Sequence, residues 1–183
     1  GVGAVPGTLA AAGSGRLLAS CAAGRVGGGR GRARLMLLAR LGWRSFEIAR
    51  LQLDDIDWRG GDLLIRGKAR RDDRLPLSSD VGAALADYLA VRGDHESRNV
   101  FLTLRAPIRP IRADLVGDVV QRHCRQAGVA HVGTHRLRHT HETEMHAEGA
   151  EWAGIGTWLR HRDRGTHAYY AMSYSGWLRG VAR

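Results

Sequence analysis

The sequence predicts a mainly α, α+β fold: a helical domain built around a small three-stranded antiparallel sheet. Three observations predict it. Apolar residues recur at helical spacing over 32–40, 79–89 and 112–127. Between residues 54 and 78 the period shortens, and glycine-containing turns divide the stretch into three strand-length pieces. With 183 residues, 44% of them hydrophobic, the chain is long and apolar enough for one domain with a full core.

Residues 1–31 are dominated by Gly, Ala and a few Arg, with Gly27, Gly28 and Gly29 as the extreme. Backbone entropy disfavours order there, so this stretch reads as a flexible Gly/Ala/Arg-rich arm with no more than a short helical turn at Leu17, Leu18 and Ala19. The remainder, 32–183, reads as the domain. Its first helix gathers Leu35, Leu37, Leu38 and Leu41 on one broad side and stops at Gly42. Ser45 suits the cap of a second, short helix carrying Ile48, Ala49 and Leu51, which leaves Arg44 at the junction, near a helix N-terminus whose amides favour anions.

Ile56-Asp57-Trp58, Leu63-Leu64-Ile65 and Leu75-Pro76-Leu77 are the three strands, with turns at Gly60-Gly61 and across 67–73. The second turn carries Lys68, the only lysine among 28 basic residues, flanked by Arg70, Arg71 and Arg74. Where arginine fills every other basic position, a lone lysine points to a role arginine does not serve, such as donating a proton. A helix follows from Ser79 with Val81, Ala84, Leu85, Tyr88 and Leu89 on its core face. Val100, Phe101 and Leu102 return to the interior. The next helix, 112–127, places Leu115, Val116, Val119, Val120 and Cys124 inward and ends at Gly128. Helices over 137–147, around Trp152 to Leu159, and over 166–172 complete the reading.

A formal charge of +10 makes a polyanion the leading partner, because neutralising phosphates releases condensed counterions. Cys21 and Cys124 are isolated, so neither a disulfide framework nor a zinc knuckle is suggested and a reducing compartment fits. The six histidines between His131 and His161 lack the His-Glu-x-x-His spacing of a metal site. No run approaches the length of a membrane span, and no secretion signal is evident.

The densest chemistry lies in Thr-His-Arg-Leu-Arg-His-Thr (134–140), Leu-Arg-His-Arg (159–162) and Tyr169-Tyr170. Together with Gly-Trp-Arg-Ser-Phe-Glu-Ile (42–48), Leu-Asp-Asp-Ile-Asp-Trp (53–58), Ile-Arg-Gly-Lys-Ala-Arg-Arg (65–71) and Leu-Pro-Leu (75–77), these segments resemble, in order and spacing, the catalytic domain of tyrosine recombinases, the phage integrases. The resemblance covers roughly residues 32–172. It implies site-specific DNA recombination or integration through a 3′-phosphotyrosine intermediate, with Arg44, Lys68, His135, Arg138, His161 and Tyr170 as the catalytic set. Tyr169, about 100° away from its neighbour on a helix, is then packing.

The physical chemistry agrees with that assignment. Guanidinium forks at Arg44 and Arg138 bind nonbridging phosphate oxygens, and His161 adds a donor. A tyrosine hydroxyl needs a proton acceptor, for which His135 is the candidate, and Lys68 protonates the departing 5′ oxygen. Arginines fill the place a magnesium ion takes in other phosphoryl transfers, so no cofactor or metal is expected. Arg70, Arg71, Arg74, Arg136 and Arg162 are the candidate DNA-backbone contacts. Expected partners are double-stranded DNA and other recombinase protomers on it, with no membrane, in a prokaryotic cytoplasm beside the nucleoid. Integrase, transposase and resolvase uses, including those of mobile elements, share this chemistry. The N-terminal core-binding domain of full recombinases is expected to be absent. Arg34 stands where relatives carry an apolar residue, and His141 and His146 put polar rings on a normally more apolar helix. The alternatives are a catalytically inactive DNA-binding remnant of an integrase, and a topoisomerase-like use of the same chemistry.

Overall fold

The computed structural model describes residues 11–20, 28–66, 72–147 and 149–150. In chain order these form α1 (Ala11–Ala19), α2 (Gly28–Leu41), α3 (Ser45–Arg50), a 3₁₀ turn (Leu53–Asp55), β1 (Ile56–Asp57), β2 (Asp62–Arg66), β3 (Asp72–Pro76), α4 (Ser79–Arg92), α5 (Asp114–Ala127) and α6 (Thr134–Ala147). The strands make one antiparallel sheet in the order β1-β2-β3, with Ile56 opposite Leu63 and Leu63 opposite Leu75. That register turns Leu63, Ile65 and Leu75 to the core and leaves Arg66 and Arg74 outward. The mainly helical architecture with a three-stranded antiparallel sheet is the one the sequence predicts.

The core is organised on α2, which packs against α1, α3, α4, α5 and α6. Ala33, Leu35, Met36, Leu37, Leu38 and Leu41 are all buried, so the helix is enclosed on most of its circumference, as a central helix must be. It ends at Gly42, whose φ of 61° reverses the chain and lets the Trp43 amide donate back to the Leu37 carbonyl at 3.2 Å. Trp43 then enters the core, which fixes the exit direction of the chain just before Arg44.

Four local expectations are corrected. Part of the stretch read as a flexible arm is ordered: α1 covers 11–19, Leu17 is fully buried, and α2 starts at Gly28 rather than at Arg32. Small residues there allow close helix approach, which outweighs their backbone entropy. Arg44, not Ser45, occupies the N-cap position of α3, and Ser78, not Ser79, precedes α4. Leu115 lies on the outside of α5, because the inward stripe is Val116, Val119, Val120, His123 and Cys124, about 100° away. Finally, α6 begins at Thr134, one turn earlier than the apolar pattern indicates.

The buried charge of α2 is met by backbone acceptors. Arg34 is 3% exposed and donates from Nη1 to the Leu115 carbonyl at 3.0 Å and from Nε to the Arg30 carbonyl at 3.4 Å. Desolvation, reinforced by Arg30, pushes its pKa down to about 9, so it stays cationic at neutral pH. An arginine at a core position is therefore a tie between α2 and the start of α5.

Candidate active site

Arg44 is placed by the Gly42–Trp43 turn at the head of α3. Its amide donates to Glu47 Oε2 at 2.7 Å, and its Nη1 lies 3.2 Å from Glu47 Oε1. Glu47 is three residues into the helix, the position from which a carboxylate reaches back to the cap. It is almost wholly buried, whereas the Arg44 side chain is about one-third exposed. A carboxylate fixed on one side of a half-buried guanidinium leaves its direction set towards solvent.

The second arginine comes from α6. Arg138 is 7% exposed and donates from Nη1 to the Gly42 carbonyl at 2.5 Å, two residues before Arg44. Its Nε lies 3.6 Å from Glu142 Oε1, one turn along the same helix. Ser45 Oγ donates to Thr134 Oγ1 at 3.4 Å, so the N-termini of α3 and α6 meet. His135, next to Thr134 and exposed, stands at that junction. The first turn of α6 carries the positive end of a 14-residue helix dipole, which adds to the two guanidinium groups. The arrangement is suited to an anion carrying more than one oxygen.

Behind α3, Glu47 and Arg50 line one small recess together with Asp55 and Arg66. Arg66 Nη2 pairs with Asp55 at 2.8 Å and ends β2. The strand from which the chain proceeds to Lys68 therefore terminates beside the helix that Arg44 heads.

Of the candidate catalytic residues, Arg44, His135 and Arg138 are brought to one end of α3 and α6. Lys68, His161 and Tyr170, with Tyr169, lie outside the described residues, as do Arg70, Arg71 and Arg162. Arg74 on β3 and Arg136 on α6 are exposed. Two residues of the site escape a reading by residue type: Glu47 and Glu142. The signal for Glu47 was its capping-box spacing from Arg44, and for Glu142 its i, i+4 spacing from Arg138.

Residues 13–175 match the phage integrase family. The chain belongs to that family. A Sinorhizobium fredii protein named as an integrase/recombinase is 43% identical over 171 residues, covering 91% of this chain and 42% of its own length. Another integrase/recombinase of that organism is 35% identical, with 84% of this chain and 81% of its own length covered. Tyrosine recombinase XerC of Oceanobacillus iheyensis is 30% identical, with 78% and 49% covered. The chain thus spans about two-fifths of the length of the first two Sinorhizobium relatives it matches. Among solved structures, XerA recombinase superposes with a TM-score of 0.77 at 22% identity, covering 98% of this chain and 65% of that one. The lambda integrase catalytic core superposes with a TM-score of 0.63 at 16% identity, covering 87% and 95%. The fold of this integrase-family chain is that of tyrosine recombinase catalytic domains.

Proposed function

We propose that the chain is the catalytic domain of a site-specific tyrosine recombinase, which breaks and rejoins double-stranded DNA through a 3′-phosphotyrosine. The observation that carries the proposal is the pair of arginines, Arg44 and Arg138, tied to one junction through the Gly42 carbonyl and each set against a buried carboxylate. Two guanidinium groups in one place suit a phosphodiester, whose charge in the transition state spreads over its nonbridging oxygens.

In this reading the Tyr170 hydroxyl attacks phosphorus. The bond from phosphorus to the 5′ oxygen breaks as the bond to Oη forms. The tyrosine proton passes to His135, and Lys68 supplies a proton to the departing 5′ oxygen. Arg44, Arg138 and His161 hold the nonbridging oxygens throughout. A 5′ hydroxyl from another strand then attacks the phosphotyrosine and reverses the steps, which exchanges strands without a metal or high-energy cofactor. Arg70, Arg71, Arg74, Arg136 and Arg162 contact the DNA backbone, and other protomers complete the synaptic assembly. Solved structures of related proteins support this setting: XerH bound to its difH substrate, and a lambda integrase tetramer on a Holliday junction. No helix among the described residues is long and apolar enough to cross a membrane. A cytoplasmic, nucleoid-associated enzyme of a mobile element fits the reading.

The test is covalent capture. The protein is incubated with a randomised pool of nicked duplexes, and DNA that stays attached after denaturation is recovered and sequenced. The expected result is an adduct at a defined site that Tyr170→Phe abolishes and Tyr169→Phe retains. An adduct that survives Tyr170→Phe overturns the nucleophile. Sequence-specific binding with no adduct marks the chain as a DNA-binding remnant, and relaxation of supercoils without strand exchange marks a topoisomerase-like use.

A further inference from the structure

On α6, His135, Arg138, His139 and Glu142 fall at i, i+3, i+4 and i+7, a spacing that puts all four along one stripe of the helix. Glu142 is the acid in that stripe, and its two oxygens have different partners. Oε1 lies 3.6 Å from Arg138 Nε, and Oε2 lies 2.8 Å from His139 Nδ1. The His139 contact is within hydrogen-bond range, with Nδ1–H as donor. The carboxylate is 7% exposed, as is the Arg138 guanidinium, while His139 is largely exposed.

We propose that Glu142 is a positioning residue for Arg138, acting through the Nε edge of the guanidinium and itself steadied by His139. The proposal deepens the recombinase reading and rests on it. A guanidinium is planar, so its direction is fixed once two of its edges are held. The Gly42 carbonyl holds the Nη1 edge from the α2–α3 turn, and Glu142 holds the Nε edge from within α6. One restraint comes from each of the two elements that meet at the site. A bidentate contact with phosphate needs that plane set before DNA arrives, because a displacement of about 1 Å in a reacting group costs on the order of 100-fold in rate. Glu142 also supplies the counter-charge that a guanidinium at 7% exposure requires. His139 steadies the acid by donating its Nδ1–H to Oε2 at 2.8 Å. The acid acts on the reaction through Arg138.

The experiment uses the DNA site recovered by covalent capture and compares the wild-type protein with Glu142→Gln, Glu142→Ala, Glu142→Asp and His139→Gln. Single-turnover adduct formation at saturating DNA gives the rate, a filter-binding titration gives DNA affinity, and the Arg138 Nε–Hε signal in a nitrogen-15 spectrum reports the guanidinium. That signal is assigned by its loss in Arg138→Lys. Glu142→Ala slows adduct formation by about 10-fold or more, with DNA affinity within about 2-fold, and broadens the Arg138 signal. Glu142→Gln keeps the length of the side chain but removes the charge of a 3.6 Å ion pair, so its rate stays within about 3-fold of Glu142→Ala. His139→Gln falls between Glu142→Ala and wild type. Where Glu142→Ala fails the thermal-melt control for folding, Glu142→Asp takes its place, because its acceptor stops one methylene short of Arg138. A wild-type rate in the folded Ala or Asp variant overturns the proposal, and so does a Gln variant as fast as wild type. If the wild-type protein forms no adduct, the recombinase reading fails, and the Arg138 signal alone decides whether Glu142 holds the guanidinium.

Discussion

His141 shows how a single residue at the back of the site sets a condition on stability. It lies in the core of α6 between the residues that carry Arg138 and Glu142, and its Nε2 has no hydrogen-bond partner among the described residues. Desolvation lowers its pKa to about 4, with the Arg40 and Arg138 charges adding to the effect. The folded protein therefore holds it neutral, while the unfolded chain takes up a proton near the ordinary histidine pKa of about 6.5. Below that value the unfolded state binds more protons, so stability falls with pH through the window from 6.5 to 4 and is constant above it. Integrated to pH 5, the loss is about 2 kcal/mol, or roughly 4–8 °C in melting temperature for a chain of this length. Thermal melts at pH 7 and pH 5 should show the wild-type protein losing that much more than His141→Leu, which has nothing to protonate at this position. Parallel losses in the two proteins would show that His141 is charged or exposed in the folded state. The sequence reading saw a polar ring on an apolar helix. It did not see that the ring is neutral, because that depends first on burial by the packed fold, with Arg40 of another helix adding to it.

At the scale of elements, the junction of α1, α2 and α5 is where composition misleads most. Gly31 sits on α2 directly against His123 of α5, so that a Cβ there would approach Nε2 to 2.8 Å. The imidazole has little room to move, since its Nδ1 is 3.2 Å from Ser20 Oγ at the end of α1. Glycine at this position is a matter of helix approach rather than of backbone freedom. Gly31→Ala should destabilise the protein by about 1–2 kcal/mol, the overpacking penalty less the helix propensity gained. In a His123→Ala background the same change should become stabilising by roughly 1 kcal/mol, because only the propensity remains. Chemical denaturation of the four proteins in this cycle measures both numbers, and additive effects would remove the contact from the account. The long helices α4 and α5 were legible because an apolar stripe at 3.6-residue spacing marks each. The α1–α2 region was not, because Ala and Gly carry no stripe and the contact that orders them comes from a histidine about 90 residues later in the chain. Leu115 fails for the opposite reason. Its apolar side chain suggested burial, and only the phase of the whole α5 stripe tells that it faces out.

For the molecule as a whole, the candidate site draws on both halves of the chain, and what sequence could convey follows from that. Arg44, His135 and Arg138 were legible as residue types that handle phosphate, each in a recognisable segment. Glu47 and Glu142 were not, because each is set beside an arginine and has no chemistry of its own to announce it. The same distinction governs DNA binding. Much of the positive charge is spent locally, in ion pairs such as Arg32–Asp87, Arg40–Asp80, Arg66–Asp55, Arg98–Asp54 and Arg112–Asp114. A formal charge of +10 therefore says little about which arginines meet phosphates. Arg74 and Arg136 are exposed and have no carboxylate within ion-pair distance among the described residues. Each phosphate contact contributes about 0.9 to the slope of log affinity against log salt concentration for duplex DNA. Arg74→Ala and Arg136→Ala should each reduce that slope by about 1, and the double variant by about 2. Arg112→Ala removes the same formal charge from an arginine already held by Asp114, and should leave the slope unchanged. Binding titrations across a salt series separate the two cases. Equal reductions for all three arginines would mean that net charge, and not contact, draws the chain to DNA.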